Sequence, residues 1–131
     1  MKKDNNEVWI GGNKIYLGED NILYGIAEGD IDDEMALKIN EVVLHFANHG
    51  KYEGDRLNTL VDVNKAGKHS SKARKIWGEL AEHEKAGKIA YFGLHPVARI
   101  LAAFIMGVSK KKDLRFFKTK EEAITWLKQD E

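Results

Sequence analysis

The sequence predicts an α/β fold, with a mixed and largely parallel sheet of about five strands and four helices. Short runs rich in branched and aromatic residues alternate along the chain with segments of helical periodicity. Strands that alternate with helices favour right-handed crossovers and parallel pairing. With 131 residues, of which 43% are hydrophobic, the chain can build one substantial core, so we predict a single domain over residues 1–131.

Three short strands near the beginning of the chain are predicted to form an N-terminal antiparallel hairpin or three-stranded addition to this sheet. They cover residues 8–10, 15–17 and 22–27, and polar segments with glycine at 11–13 and 18–21 separate them. Tight turns of this kind place successive strands beside one another, so this part of the sheet is expected to be antiparallel.

Two helices, each followed by a glycine, are predicted for the middle of the chain, and a strand follows each of them. The first helix begins with acidic residues, repeats apolar residues at helical spacing and stops before Gly50. The second stops before Gly87. The predicted ranges are 32–49 and 70–86 for the helices, and 57–63 and 88–94 for the strands.

Two more helices are predicted for the last third of the chain, on either side of a short strand at 114–117. Pro96 occupies the favoured first helical position of a segment over 97–108 that is apolar almost all round, with Arg99 as the exception. Burial is the first interpretation of such a helix, with a dimer surface or the wall of an apolar ligand groove as alternatives. Thr119 opens the terminal helix as the hydroxyl residue of a capping box.

The charge balance and the absence of cysteine exclude several classes of function. Lys+Arg and Asp+Glu both number 21, so no overall field draws the chain to nucleic acid or to an anionic membrane. Without cysteine there are no disulfides, thiolate nucleophiles or thiolate–metal sites. No apolar run approaches the roughly 20 residues that span a bilayer, and the first residues lack the apolar region of a signal peptide. We therefore expect a cytoplasmic protein with no transmembrane segment and no nucleic-acid partner.

The segment LVDVNKAGKHSSKAR, residues 60–74, invites comparison with a phosphate-binding loop. That motif needs a glycine five residues before the glycine of Gly-Lys and a hydroxyl after the lysine, but Asp62 and His69 occupy these positions. A weaker anion site remains, because backbone N–H groups and the helix dipole attract negative charge. In the alternative interpretation, Ser70 or Ser71 caps the helix and the cations keep the loop soluble. The cations near this helix start include Lys68, Lys72 and Arg74.

Two loops that follow parallel strands are expected at the same edge of the sheet, where ligand sites of α/β proteins occur. A Ser-His-Asp hydrolase could be built there, but the G-x-S-x-G elbow is missing, so no catalytic residue is predicted. His45 and His49 lack a third ligand, so no metal site is predicted, and no complete cofactor fingerprint is found. The side chains that this geometry could gather are Asp62, His69, Ser70, Ser71, His95 and Arg99.

Three stretches make the chain resemble the SpoIIAA-like family, which belongs to the STAS group of sulfate transporters and anti-sigma-factor antagonists. They are LVDV before the serine-bearing helix, then KIAYFGL, and LRFFKTKEEAITWL near the end. The resemblance extends from about residue 8 to residue 127. It implies a β-α superhelix, in which helices layer against a mixed sheet, and a fold shared with CRAL-TRIO lipid-transfer domains.

The same resemblance implies a function without catalysis. In anti-sigma-factor antagonists of this group, a kinase phosphorylates a serine at the start of the helix after the central strand, and this controls protein binding. Ser70 and Ser71 stand at that place, with His69 instead of the motif's aspartate and Lys72 instead of its glycine. We therefore expect a domain that binds an unidentified protein partner, with the two serines as a switch, and that can form a homodimer. The alternatives are a lipid or other apolar ligand beside the helix at 97–108, or an anion at the loop 65–75.

Overall fold

One continuous sheet organises the computed structural model, which describes residues 2–4, 7–96, 99–100, 103 and 113–129. Strand order in the sheet follows chain order, from β1 at one edge to β7 at the other. The first three pairings are antiparallel, and the last three are parallel. The seven strands within the described residues are β1 (Lys2–Asp4), β2 (Glu7–Ile10), β3 (Asn13–Leu17), β4 (Ile22–Ile31), β5 (Leu57–His69), β6 (Ala86–Phe92) and β7 (Leu114–Phe117).

The antiparallel N-terminal addition is confirmed, but the prediction of about five strands in a largely parallel sheet is wrong. Half of the pairings are antiparallel, and β1 adds an edge strand that the sequence does not reveal. This strand reads Lys-Lys-Asp, so it carries none of the apolar alternation by which strands are recognised.

Three complete helices lie within the described residues: α1 (Asp33–His49), α2 (Ser71–Ala81) and α3 (Lys120–Leu127). Of the predicted helix at 97–108, the structure describes Arg99, Ile100 and Ala103, which are exposed, and the rest lies outside the described residues. None of the described helices has the length and apolar character that a membrane crossing requires.

The helices cover opposite faces of the sheet. α1 and α2 pack on the face that carries Leu23 and Leu57, whereas α3 packs on the face that carries Ile22 and Leu60. Because successive residues of a strand point to opposite faces, the sheet is buried on both sides around β5. Leu60 is 1% exposed and Val63 2% exposed, so the centre of β5 lies in the core.

Helix ends follow the expected capping chemistry. Asp32 caps α1 by accepting a hydrogen bond from the Met35 N–H at 2.9 Å. The Thr119 oxygen accepts from the Glu122 N–H at 3.2 Å, and its hydroxyl donates to the Glu122 carboxylate at 3.0 Å, which confirms the predicted cap of the terminal helix. α1 ends at Gly50, where a Cβ atom would collide with the Phe46 carbonyl oxygen.

β4 and β5 continue beyond their predicted ends and form a parallel two-stranded extension, which we call the arm (residues 28–31 and 65–69). Lys65 pairs with Glu28 and His69 with Ile31, although residues 65–69 were predicted as part of a loop. β6 stops at Phe92, opposite Asp62, so the arm projects past it. The Asp30 carboxylate accepts a hydrogen bond from the Lys68 N–H at 2.8 Å and helps to hold the two segments together.

The second helix is shorter than predicted. α2 ends at Ala81 instead of residue 86, and β6 already begins at Ala86. Gly87 therefore does not stop a helix; a Cβ atom there would lie 3.2 Å from the Leu57 carbonyl carbon, so glycine permits close approach of two strands. The Asn58 side chain secures this junction by accepting from the Lys88 N–H at 2.8 Å.

Gly67→Ala is expected to destabilise the protein by about 1–3 kcal/mol, because overpacking of a close contact costs that much. The added Cβ would lie 2.8 Å from the carbonyl carbon of Gly29 on the opposite segment of the arm. Urea unfolding measures the loss. Gly12→Ala is the matched control, since its Cβ would meet the Glu28 side chain at an ordinary 3.4 Å. Equal losses in the two variants would contradict the close approach within the arm.

Candidate functional site

The start of α2 is held by Ser70, which lies directly after the arm. The Ser70 hydroxyl oxygen accepts a hydrogen bond from the Ala73 N–H at 3.1 Å, so Ser70 is the helix cap. Its own N–H donates to the Ile31 carbonyl oxygen at 3.0 Å. Ser70 is therefore a structural residue that joins β4, β5 and α2.

Ser71 differs from Ser70 in exposure and in its neighbours. It is exposed in the first turn of α2, and its hydroxyl oxygen accepts a hydrogen bond from the Arg74 guanidinium (Nη2) at 3.3 Å. Lys72 and Lys75 are exposed on the same turns, and the first turn of α2 holds no acidic residue. We call Ser71, Lys72, Arg74 and Lys75 the α2 face. It combines a hydroxyl, cations and the positive end of a helix dipole.

Asp62 belongs to a separate network. Its carboxylate accepts from the backbone N–H of Asn64 at 2.9 Å and from the Asn64 side-chain amide at 3.0 Å. The Asn64 amide oxygen accepts in turn from the Leu94 N–H at 2.9 Å. Nearby in the chain, His95 is exposed, and the Arg99 guanidinium carbon lies 5.9 Å from the centre of the Phe116 ring. Asp62 therefore orients Asn64, and Asn64 holds the chain just after the end of β6.

The expectation that Asp62 and the two serines share one site is wrong. Seven residues, all of them within β5, lie between Asp62 and Ser70, and at about 3.3 Å per residue the two positions are roughly 25 Å apart. The extension of β5 through the arm causes this separation. His69, Ser70, Ser71, Lys72 and Arg74 lie together at one end of the strand, and Lys68 precedes them on the arm.

His69 is tied to α2 through Trp77. The Trp77 indole N–H donates to His69 Nδ1 at 3.0 Å, and the two rings meet edge to face with centres 6.0 Å apart. Burial, reinforced by the nearby Arg74 cation and opposed by the Asp30 carboxylate, lowers the pKa of His69 to about 4. The imidazole is therefore neutral at physiological pH.

An apolar cavity of about 140 Å³ lies between the sheet and helices α1 and α2. β4 contributes Gly25, β5 contributes Val61, and α1 contributes Leu44 to its predominantly apolar wall. His69 and Trp77 line the same cavity. The cavity therefore lies on the face of the sheet that α1 and α2 cover.

The described residues contain no group of three or more His, Cys, Asp or Glu side chains that could hold a metal ion. His45 and His49 are both exposed on α1, with ring centres 5.3 Å apart. Two imidazoles without a third ligand do not make a structural or catalytic zinc site.

A family described as a domain of unknown function, DUF7793, matches residues 16–131. The chain belongs to the DUF7793 family. The matched range contains every predicted site residue, from Asp62 to Arg99, whereas β1 and β2 precede it. Curated proteins, by contrast, give no significant match.

Solved structures share the fold of this DUF7793 chain. An uncharacterized DUF3478-family protein with a SpoIIAA-like fold, from Shewanella loihica PV-4, matches with a TM-score of 0.64 at 18% identity, over 97% of this chain and 99% of its own. The anti-sigma factor antagonist SpoIIAA in its unphosphorylated form matches with a TM-score of 0.64 at 15% identity, over 90% of this chain and 99% of its own. The predicted SpoIIAA-like fold is confirmed, while the relation to CRAL-TRIO domains stays a prediction.

The sequence of the DUF7793 chain led to His69 as a possible anion-binding or contact residue, but it did not predict the hydrogen bond with Trp77 or the cavity. Trp77 lies eight residues after His69, and the apolar spacing of α2 accounts for it without a polar contact. Only the extension of β5 to His69 places the imidazole opposite the indole of Trp77. The spacing of residues in the sequence does not predict this contact.

His69→Asn is expected to flatten the pH dependence of stability, because the Asn carboxamide can still accept from Trp77 but does not titrate. The pKa of His69 is about 4 in the folded protein and about 6.5 in an unfolded chain, so the unfolded state takes up the proton first. The stabilisation is complete above pH 6.5 and is lost as the pH falls towards 4. After allowance for solvent screening, wild type should lose about 2 kcal/mol more than the variant over this range.

Urea unfolding at a series of pH values between 7 and 4.5 measures this difference. His45→Asn, which replaces an exposed imidazole on α1, is the matched control and should follow the wild-type profile. Parallel profiles for wild type and His69→Asn would contradict the buried, neutral state of His69.

Proposed function

We propose that this protein is a non-catalytic, cytoplasmic interaction domain that binds a protein partner through the α2 face. The observation that carries the proposal is the exposed Ser71 hydroxyl, in contact with Arg74 and flanked by Lys72 and Lys75. A partner that fits this surface presents carboxylates, because the α2 face offers cations and the positive end of a helix dipole. The likeness in fold to an anti-sigma factor antagonist supports a regulatory role without catalysis.

The proposal includes control by phosphorylation at Ser71. A phosphate there would carry about two negative charges at the helix N-terminus, where the dipole and Arg74 would stabilise it. The same charge would neutralise most of the positive charge of the α2 face, so a single modification would weaken the binding of an acidic partner. Ser70 is the poorer acceptor of a phosphate, because its hydroxyl oxygen already caps α2.

We further propose that self-association uses apolar side chains at a different place. Leu94 is 73% exposed and Ile100 is 69% exposed, and contact with a second copy would remove these apolar side chains from water. They flank Pro96 and lie outside the α2 face. A homodimer formed there would leave Ser71 accessible to a partner.

Ser71→Asp is expected to abolish partner capture, whereas Ser71→Ala is expected to keep it. The aspartate imitates the negative charge of a phosphate, whereas the alanine adds no negative charge to the α2 face. Affinity capture from extracts of the native host, read by quantitative mass spectrometry, measures the bound proteins. Phosphopeptide analysis of the protein from the same host should find phosphate on Ser71 and not on Ser70.

Thr125→Asp is the matched control, because it adds the same charge to an exposed hydroxyl residue on α3, across the sheet. It should capture the same proteins as wild type. An identical set of bound proteins for wild type and Ser71→Asp, together with unmodified Ser71 in the host, would contradict the proposal.

A second candidate function is the binding of a small molecule, and the apolar cavity between the sheet and helices α1 and α2 favours it. The predicted site beside residues 97–108 lies almost entirely outside the described residues. Within the alternative of an anion at residues 65–75, the arm is the less favourable part, because the Asp30 carboxylate lies there. We therefore place the ligand of this second candidate function in the cavity.

Native mass spectrometry of protein purified from its own host is expected to show a retained small-molecule adduct, since an apolar cavity of this volume can hold one. Denaturing conditions should release the adduct, which separates it from a covalent modification. Gly25→Val should lose the adduct, because the new side chain would occupy the cavity. A bare mass for wild type under gentle conditions would count against this second candidate function.

A further inference from the structure

The cavity wall contains a buried polar atom that has no hydrogen-bond partner among the described residues. This atom is Nε2 of His69. Buried polar atoms in proteins are nearly always satisfied, so each exception needs an explanation. A missing ligand is one such explanation when the atom belongs to a cavity-lining residue.

The hydrogen bond from Trp77 determines what His69 Nε2 can do. An indole N–H is only a donor, so His69 Nδ1 must be the acceptor and carries no proton. A neutral imidazole holds its single proton on the other nitrogen. Nε2 is therefore an N–H donor, and its missing partner must be a hydrogen-bond acceptor.

Water is a poor candidate for this acceptor. A buried water usually makes about three hydrogen bonds, and it needs two to four polar partners. Two polar side chains of the wall are already engaged: the Asn13 amide oxygen accepts from the Glu28 N–H, and His83 Nδ1 accepts from the Lys85 N–H. An apolar molecule with one acceptor matches the wall better than water does.

We propose that the cavity binds a compact apolar molecule with a single hydrogen-bond acceptor, such as a ketone or ether oxygen, which accepts from His69 Nε2–H. This proposal rests on the second candidate function and specifies its ligand class. The volume of about 140 Å³ is close to that of apolar protein cavities that bind benzene, so the ligand is a single ring or its equivalent. The wall includes Lys14 and Lys85, but Lys14 is paired with Glu7 at 2.6 Å and the exposed lining is predominantly apolar, so a neutral ligand fits the cavity better than a charged one.

Two probes of almost the same shape test the proposal. Cyclohexanone carries a carbonyl oxygen where methylenecyclohexane carries a CH₂ group, so they differ mainly in the acceptor. Their dissociation constants are measured by NMR titration, following the Trp77 indole N–H and the His69 imidazole nitrogens. We expect the free protein to show the Nε2–H tautomer, and cyclohexanone alone to shift the Nε2 resonance strongly.

His69→Asn completes the comparison. The ratio of the two dissociation constants, methylenecyclohexane over cyclohexanone, should be about tenfold larger in wild type than in the variant, because one hydrogen bond is lost. The difference in hydrophobicity between the probes affects the ratio equally in both proteins, so it cancels when the two ratios are compared. The wild-type NMR shifts keep the proposal testable if the variant fails to fold.

Gly25→Val locates the binding site. A Cβ at Gly25 would meet nothing closer than the Val61 side chain at 3.9 Å, so the valine methyl groups can occupy the cavity. This variant should fold and bind neither probe. If both probes bind wild type with a ratio unchanged in His69→Asn, the polar anchor is wrong while the cavity function survives. If neither probe binds and native mass spectrometry shows no adduct, both proposals fail.

Discussion

The parallel pairing of β4 with β5 is the interaction on which the rest of the structure depends. These two strands lie in the middle of the seven-stranded sheet, and they carry the largest fully buried side chains of the described residues, Leu23, Leu60 and Val63. α1 and α2 bury their apolar stripes against one face of this pair together with apolar residues of β2 and β3, and α3 packs against the opposite face. Hydrophobic burial on both faces stabilises the pair, while its backbone hydrogen bonds satisfy groups that water cannot reach.

The same pairing decides where functional side chains can lie. Because β4 and β5 stay paired through the arm, the start of α2 lies far from the end of β6. The predicted site residues therefore fall into two groups, one around Asp62 and one around Ser70. At the far end of β5, His69 lines the cavity while Ser70 caps α2 and Ser71 is exposed. Of these three successive residues, one lines the cavity, one caps a helix and one belongs to the α2 face. A molecule in the cavity and a protein on the α2 face would both contact this one junction.

Local chemistry made part of this architecture predictable. The first and last helices and β7 follow the expected ranges, because apolar spacing and caps such as Thr119 act over a few residues. The arm was not predictable, since its residues read as a basic loop, and only the pairing with β4 and the Asp30 contact explain them as a strand. The end of α2 was predicted wrongly from Gly87 for the same reason. Glycine occurs both after helix ends and where two strands approach closely, and only the tertiary fold distinguishes the two cases. The cavity was not predictable either, because it forms where side chains from elements far apart in the chain leave space between them.

Chain order and sheet order coincide from β1 to β7, and this has a consequence for how the protein folds. The antiparallel strands are joined by turns of a few residues, and hairpins of this kind form within about 1–10 microseconds. Each parallel pairing must instead wait for a long crossover to close, which slows non-local contacts. We therefore expect the antiparallel strands to pair early in folding and the β4–β5 pairing, which closes the first long crossover, to follow.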